Sequence, residues 1–435
     1  MIEPLINLIV ILVQVIGSIH NFVLMVIHWR KKPSIPPIKN PLLKLSATTL
    51  ARKIRNRELS SQIVVEAYIE RIKEVNPFIN AVIEDRFEAA LEESKICDAK
   101  LKSNDLTMTA EQLEKHKPLY GVPISIKESC AVKGMSFTCG CVSRKGMKAT
   151  EDAYVVQTLK NAGAIPLLVS NVPEYCVTLH TYNFLFGHTM NPYDTRKTSG
   201  GSSGGETALI SSGASVLGIG TDLVGSLRIP SFFTGVFAHK PTAGTIPLDG
   251  HFFLVDDPIF KQLLTIGPIA RYVDDLYLSM KVFATSPECR LLPLFDEPVD
   301  IKNLKFYYFD NINGILGITS TTSEIKRTIH KAKQYLITKG ASVKENMLKD
   351  NGVLICPTWC RAASFPQIMS WETHCCVYTA LANLTCTPAT QIPMGFSKDG
   401  TPLGFQVISA SYQDHLCLAV AREFEKDHCG WVPPS

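Results

Sequence analysis

The sequence predicts an α/β protein of layered architecture that follows a membrane-spanning helix. Of its 435 residues 46% are hydrophobic and 19% are charged, a composition that fills a large core and excludes a mainly disordered chain. Segments of helical periodicity alternate with short apolar segments typical of strands, which favours helices layered on a sheet. The stretch from Pro4 to Trp29 contains no charged residue, which favours a membrane span.

Residues 1–32 are predicted to form a membrane anchor with a basic flank. A bilayer core of about 30 Å needs roughly 20 helical residues, and the uncharged stretch is long enough. The bases Arg30, Lys31 and Lys32 follow the apolar run, whereas a signal peptide carries them before it. The positive-inside rule then places the body of this single-pass membrane protein in the cytosol. Which membrane holds it is left open, with the endoplasmic reticulum and the lipid-droplet surface as alternatives.

Residues 33–41 are rich in proline and predict a short, stiff tether rather than a helix. The body, residues 42–435, begins with a helix pair. Ser46 is suited to cap the first helix, and Ser60 or Ser61 the second, which we expect to end at Asn76-Pro77.

Further along the chain the predicted elements alternate. A β-branched run precedes Lys127, a helix covers Asp152 to Ala162, and Ile165–Val169 reads as a strand. Further strands are predicted at VLICP and LGFQVIS. Two amphipathic helices complete the pattern, with apolar faces formed by Val273, Leu276, Met280 and Phe283, and by Ile325, Ile329, Ala332 and Leu336. Thr321 and Glu324 predict a capping box for the second of these helices.

Charge and cysteine usage exclude two classes of function. The net charge is +4, and half of it lies in residues 1–32, so the nearly neutral body has no electrostatic footprint for nucleic acid. The 13 cysteines contain no pair with the spacing of a zinc knuckle or a thioredoxin-like site. We expect reduced cysteines that serve as small apolar filler.

The most informative segment is residues 198–230, where two Gly/Ser clusters flank a helix-compatible stretch. A phosphate cradle would need Gly-Lys-Ser/Thr, which is absent, and the apolar flanks disfavour a flexible linker. Gly200-x-Ser202-x-Gly204 fits the nucleophile elbow of α/β-hydrolases, with His415 beside Asp414 as the partner. The polar run before Ser202 argues against this alternative, because an elbow follows an apolar strand.

Several motifs together resemble the amidase-signature hydrolases, from about Leu42 to the end of the chain. They are Gly121-Val122-Pro123-x-x-x-Lys127-Glu128, Asn171-Val172-Pro173-Glu174, Asn191-Pro192, Gly200-Gly201-Ser202-Ser203-Gly204-Gly205, Gly220-Thr221-Asp222, Gly225-Ser226-x-Arg228-x-Pro230, Lys240-Pro241-Thr242, Gly267-Pro268, Asn383-Leu384-Thr385 and Pro402-Leu403-Gly404-x-Gln406. With the anchor, the chain is most similar to the membrane-anchored fatty-acid amide hydrolases of the second type.

The resemblance implies a mixed central β-sheet covered by helices on both faces and a Ser-Ser-Lys triad. Ser226 is then the nucleophile, Ser202 the bridging serine, which follows a cis peptide in the family, and Lys127 the base. The implied reaction is cleavage of fatty-acid primary amides or N-acyl ethanolamines through an acyl-enzyme, without a metal or an organic cofactor. Burial disfavours a charged lysine and so suits Lys127 to accept a proton.

The resemblance also places the oxyanion hole on the backbone N–H groups of Leu223, Val224, Gly225 and Ser226. The family has two glycines before the nucleophile, whereas this chain has Val224-Gly225. If position 224 needs a positive φ, a β-branched residue is strained there. We expect Asp222 and Arg228 to brace this loop as an ion pair.

A second departure from the family lies between Lys349 and Asn351, where a segment of several helices is missing. Cys386 stands where glycine is usual. Together with Val224, the missing segment supports an alternative, a catalytically impaired homologue that binds lipid or partners. The expected partners are otherwise a lipid amide substrate and the membrane, with no nucleic acid, and a homodimer is left open.

Overall fold

The computed structural model describes residues 2–29, 34–103, 108–252, 257–284, 293–312, 318–344, 352–427 and 430–434. Its helices are α1 Ile2–Ile27, α2 Ala47–Arg55, α3 Ser61–Ile79, α4 Phe87–Lys102, α5 Ala110–His116, α6 Tyr154–Asn161, α7 Gly204–Ser211, α8 Arg228–Thr234, α9 Pro258–Leu263, α10 Val273–Phe283, α11 Ser323–Thr338, α12 Met369–Glu372, α13 Val377–Leu384 and α14 Asp414–Asp427. Its strands are β1 Val82–Asp85, β2 Pro123–Lys127, β3 Ile165–Ser170, β4 Tyr182–Asn183, β5 Gly187–His188, β6 Leu217–Asp222, β7 Phe237–Lys240, β8 Thr265–Ala270, β9 Lys305–Tyr308, β10 Ser342–Lys344, β11 Gly352–Cys356, β12 Ala389–Phe396 and β13 Pro402–Ser409.

Eleven of the strands form one mixed sheet in the order β1-β3-β2-β6-β8-β7-β12-β13-β11-β9-β10. Strand β2 pairs parallel with β3 and β6, and β9 pairs parallel with β10 and β11, while the remaining neighbours are antiparallel. Helices flank the sheet: α7 packs on β2 and β6, α8 on β7 and β13, and α10 on β7 and β8. The predicted α/β fold with a mixed central sheet is confirmed.

The first helix pair begins where the sequence predicts. Ser46 accepts a hydrogen bond from Thr49 N at 3.0 Å, and Ser60 caps α3. The predicted end of α3 at Asn76-Pro77 is wrong, because the helix continues through Pro77. A proline removes only one helical hydrogen bond, and Asn76 Oδ1 accepts from two N–H groups beyond the end of the helix. The left-handed Asn80, with φ +48°, ends the helix.

Helix α11 has the predicted apolar face, formed by the buried Ile325, Ile329, Ala332 and Leu336. The predicted capping box of Thr321 and Glu324 is wrong, because the N-cap of the helix lies one residue later. Thr322 is the N-cap and accepts from Ile325 N, whereas Thr321 donates its hydroxyl to Asp310 O. Glu324 accepts from Lys398 N at 3.0 Å, so a tertiary contact takes the side chain that the local motif would use.

The N-terminal segment contains helix α1. Within the described ranges, no helix has both the length and the apolar character that crossing a membrane requires. The predicted basic flank, residues 30–32, lies outside the described residues. Residues 34–40, which follow, form no helix or strand and lie on the body, because Ile35 and Ile38 are buried and Pro36 O accepts from Arg71 Nη2 at 2.8 Å.

The cysteines that the structure describes are all free thiols, and most of them are buried. The predicted missing segment between Lys349 and Asn351 falls on residues 345–351, which lie outside the described residues.

Candidate active site

Lys127, the last residue of β2, has a fully buried side chain. Its Nζ donates to Ser202 Oγ at 2.7 Å and to Thr221 Oγ1 at 2.8 Å. No carboxylate in the described part of the chain forms an ion pair with it, so two hydroxyls hold the amine. Sequence reasoning gave no role to Thr221, although it lies in the quoted Gly220-Thr221-Asp222 motif.

Ser202 lies in the first loop, residues 198–203, which leads into α7. Its side chain is buried, and the peptide between Gly201 and Ser202 is cis, as the resemblance implies. A Cβ at Gly201 would lie 2.8 Å from Thr178 O and from His180 N. This close approach of two backbones requires glycine, and it positions the next residue, Ser202, against Lys127.

Ser226 lies in the second loop, residues 223–227, between β6 and α8. Its carbonyl accepts from Ser203 N at 3.2 Å, which joins the second loop to the first. The side chain is 5% exposed, and its hydroxyl makes no hydrogen bond with a described residue. The structure therefore brings Lys127 and Ser202 into direct contact and places Ser226 on the adjoining loop.

Asp222 and Arg228 bracket the second loop as a fully buried ion pair. Arg228 Nε and Nη2 each donate to one carboxylate oxygen at 3.0 Å, and Nη2 also donates to Asn383 Oδ1 at 2.7 Å. Burial alone would raise the pKa of Asp222, but the charge and hydrogen bonds of Arg228 lower this pKa to about 2. The predicted brace is confirmed.

The second loop differs from the predicted oxyanion hole at Gly225. Its N–H donates to Asp222 Oδ1 at 2.7 Å, so the prediction that it faces a substrate oxygen is wrong. A buried, ionised carboxylate is a stronger acceptor than a neutral carbonyl, which explains this choice. The N–H groups of Leu223, Val224 and Ser226 donate to no group in the described ranges, and they stay candidates for an oxyanion.

Val224 does not have a positive φ, so the expected backbone strain is wrong. The positive φ of this turn falls on Gly225, at +130°, where a Cβ would lie 2.3 Å from Thr379 Oγ1. Val224 instead packs its half-buried side chain against an apolar cluster around Ile229, and its carbonyl accepts from Thr379 Oγ1 at 2.6 Å. The backbone strain that favoured a catalytically impaired homologue is thereby removed.

The alternative of an α/β-hydrolase with Ser202 and His415 is wrong. Asp414 is bonded to His239 Nε2 at 3.1 Å and to Thr242 N at 2.9 Å, while Nδ1 of His415 has no partner among the described residues. Ser202 contacts Lys127 instead. The strand preceding Ser202 in the chain is β5, which ends at His188, so no strand leads directly into a nucleophile elbow.

Glu206 is a buried carboxyl group that sequence reasoning missed. It lies on α7, is fully inaccessible, and accepts from Ser125 Oγ at 2.6 Å. None of the described cations forms an ion pair with it, and burial raises its pKa to about 7. The only sequence signal is one charged residue within the small and apolar GGETALIS.

Within the residues that the structure describes, no three His, Cys, Asp or Glu side chains are grouped in a way that could hold a metal ion. The geometry joins Lys127 to Ser202 and places Ser226 on the adjoining second loop. A hydroxyl beside a buried amine can pass a proton, which suits acyl transfer.

A model of the family Amidase matches residues 63–348 and 319–418. The chain is 33% identical over 496 residues to Fatty-acid amide hydrolase 2-A of Danio rerio, and 33% identical over 492 residues to Fatty-acid amide hydrolase 2 of Homo sapiens. Each alignment covers 92% of this chain and 92% of the relative. A solved structure of a fatty acid amide hydrolase is similar in fold, with a TM-score of 0.75 at 21% identity, covering 89% of this chain and 85% of that one.

Proposed function

Because the chain belongs to the amidase-signature family of hydrolases, we propose that it cleaves the carboxamide C–N bond of fatty-acid amides through an acyl-enzyme on Ser226. The observation that carries this proposal is the 2.7 Å contact between Lys127 Nζ and Ser202 Oγ. Both side chains are buried, and the amine donates hydrogen bonds to two hydroxyls, so it is suited to proton transfer.

In the proposed reaction Ser226 Oγ attacks the amide carbonyl. Its proton passes to Ser202, whose own proton passes to the amine of Lys127. The N–H groups of Leu223, Val224 and Ser226 face the oxygen that becomes negative in the tetrahedral intermediate. The relay then returns a proton to the leaving nitrogen, because an amide anion is a very poor leaving group, and water hydrolyses the acyl-enzyme.

The substrate class comes from the relatives, whose names describe hydrolases of fatty-acid amides. We further propose that α1 anchors the chain to a membrane, with the body on the cytosolic side, since the sequence from Pro4 to Trp29 is free of charges. Deletion of residues 1–32 should release protein from the membrane fraction. Complete retention after the deletion would mean that another surface attaches the body.

Labelling with a fluorophosphonate tests the nucleophile. We expect the wild type to be labelled and Ser226→Ala to lose the label, because the probe modifies an activated serine. Ser231→Ala is the matched control: it removes another buried serine, on α8, whose hydroxyl donates to Leu227 O. Labelling that survives in Ser226→Ala, or that disappears in Ser231→Ala, would contradict the assignment.

Replacement of the base tests the relay. Lys127→Ala should lower amide hydrolysis by about 10²–10⁴-fold, and lower hydrolysis of a matched ester less, because only nitrogen needs protonation in order to leave. The measurement is kcat/KM on both substrates with correctly folded protein. Equal losses on amide and ester would argue against the protonation step.

A further inference from the structure

Two cysteines outside the proposed triad lie side by side near Lys127. The Sγ atoms of Cys139 and Cys176 are 3.5 Å apart. The N–H of Tyr175 donates to Cys139 O at 2.9 Å, which holds the two turns together. Both cysteines have a positive φ, +50° and +58°, which is uncommon outside glycine. The two sulfurs need to approach by only about 1.5 Å to reach disulfide length.

The two thiols are not equivalent. Cys139 is buried, whereas Cys176 is half-buried and precedes Val177, which is 71% exposed. The contact with the Cys139 thiol lowers the pKa of Cys176, against the effect of burial. The same contact raises the pKa of Cys139. The greater exposure of Cys176 suits it to react first with an oxidant, and the buried Cys139 is then the thiol that can resolve the oxidised form.

We propose that Cys139 and Cys176 are a reversible dithiol–disulfide pair that is oxidised by hydroperoxides. The Cys176 thiolate attacks a peroxide oxygen, the O–O bond breaks, and Cys176 becomes a sulfenic acid while hydroxide or alkoxide leaves and is protonated by solvent. The Cys139 sulfur then attacks the sulfenic sulfur, the S–S bond forms, and the thiol proton leaves with the hydroxyl group as water. The two sulfurs together lose two electrons, which the peroxide gains.

Hydrogen bonds to Glu128 connect the Cys139–Cys176 pair to the proposed base, Lys127. Glu128, which directly follows Lys127 and is fully buried, accepts from Cys139 N at 2.7 Å, from Thr138 Oγ1 at 2.8 Å and from Ser136 Oγ at 3.0 Å. Closure of the disulfide moves Cys139 and so pulls on Glu128. Because a misplacement of about 1 Å can cost 10²-fold in rate, we expect oxidation to slow hydrolysis by about tenfold or more. This consequence rests on the proposed function, whereas the disulfide itself does not.

The test treats full-length protein with hydrogen peroxide, blocks the remaining thiols with an alkylating reagent and maps disulfides by mass spectrometry. We expect a peptide pair joined through Cys139 and Cys176 that dithiothreitol separates. Hydrolysis of an amide substrate is measured on reduced, oxidised and re-reduced samples. The rate should fall on oxidation and recover on reduction.

Two serine variants separate this pair from the other thiols. Cys139→Ser should keep its rate in peroxide, whereas Cys141→Ser, which removes another buried thiol of the same turn, should stay as sensitive as wild type. Absence of the Cys139–Cys176 peptide from oxidised wild type would overturn the proposal, whether or not the variants fold or the amidase assay succeeds. A disulfide that forms without any change in rate would overturn its link to Lys127.

Discussion

The first and second loops each lie next to a buried carboxyl group, and they stabilise it in opposite ways. Asp222 next to the second loop faces Arg228, which lowers its pKa to about 2. Glu206, in the first turn of the helix after the first loop, has hydroxyl neighbours instead, and burial raises its pKa to about 7. The comparison shows that a buried ion pair stabilises the second loop. Hydrogen bonds of hydroxyl groups and close contacts between backbones stabilise the first loop.

Removal of the cation should produce the largest effect. Arg228→Met leaves Asp222 buried without its partner and removes donors to Asn383 and Gln406. We expect the free energy of unfolding to fall by about 3–5 kcal/mol, as for other broken buried pairs. Chemical denaturation measures this change.

A surface pair provides the control for Arg228→Met. Arg52 pairs with Glu58 at 3.3 Å, and their side chains are 53% and 40% exposed. Arg52→Met should change the stability little, because solvent screens exposed pairs. Similar losses in the two variants would mean that burial does not distinguish the brace from a surface ion pair.

The next largest effect concerns pH and Glu206. Its folded pKa of about 7 exceeds the ordinary value of 4.5, so the folded state retains a proton that the unfolded state loses between these values. Stability should therefore fall as the pH rises from about 4.5 to about 7, by about 3 kcal/mol. Glu206→Gln should flatten this dependence, because the amide does not ionise. Denaturation curves at several pH values measure it.

The opposite sign holds for Asp222, whose lowered pKa stabilises the fold at pH values above its ordinary 3.8. That contribution is lost as the pH falls through about 2, so the two carboxyl groups affect separate pH windows.

The control for Glu206 is Glu92→Gln, at a position that is 67% exposed. An unaltered pH dependence in Glu206→Gln would show that another group titrates in this window.

A smaller effect is expected at the turn of the second loop. A Cβ at Gly225 would lie 2.3 Å from Thr379 Oγ1 and 2.6 Å from Ile229 Cδ1, at a φ of +130°. We expect Gly225→Ala to lower the free energy of unfolding by about 1–3 kcal/mol, since both the backbone and the contact are strained. The measurement is again chemical denaturation, with the rate of fluorophosphonate labelling as a second readout.

Gly244→Ala separates the two causes of this loss. Gly244 also has a positive φ, +77°, but no atom lies within 4 Å of a Cβ built there. Its substitution should show the backbone effect without the steric contact, and so a smaller loss. Equal losses at the two glycines would indicate that Thr379 moves aside without cost.

The sequence predicts features that depend on residues close in the chain. It predicts less well which residue, remote in sequence, a side chain will contact. The caps Ser46 and Ser60 and the apolar face of α11 follow from spacing alone, because each depends on neighbours in the chain. The capping box at Thr321 fails because Glu324 bonds to Lys398, a residue remote in sequence.

The same division applies to the candidate site. The motifs identify Lys127, Ser202 and Ser226 as candidate site residues. Their spacing does not predict that Thr221 also accepts a hydrogen bond from Lys127. Nor does it reveal that Asp222 takes the N–H of Gly225. Both facts depend on how β2, β6 and the second loop meet in three dimensions, which one sequence does not specify.

The smallest effect is expected for Val224→Gly. Two glycines before the nucleophile are usual in the family, which suggests that valine strains the loop and that glycine would raise the rate. The structure removes this reason, because Val224 does not have a positive φ and its side chain contacts an apolar cluster around Ile229. Its N–H is unaffected by the substitution.

We therefore expect kcat of Val224→Gly for an unbranched acyl amide to change by less than about twofold, which corresponds to less than about 0.5 kcal/mol in the activation barrier. Stability should fall slightly, because glycine loses the apolar contact and gains freedom in the unfolded chain. A clear rise in kcat on folded protein would contradict this expectation and show that Val224 crowds the acyl carbonyl, while a large fall would show that its contact with the cluster positions the second loop.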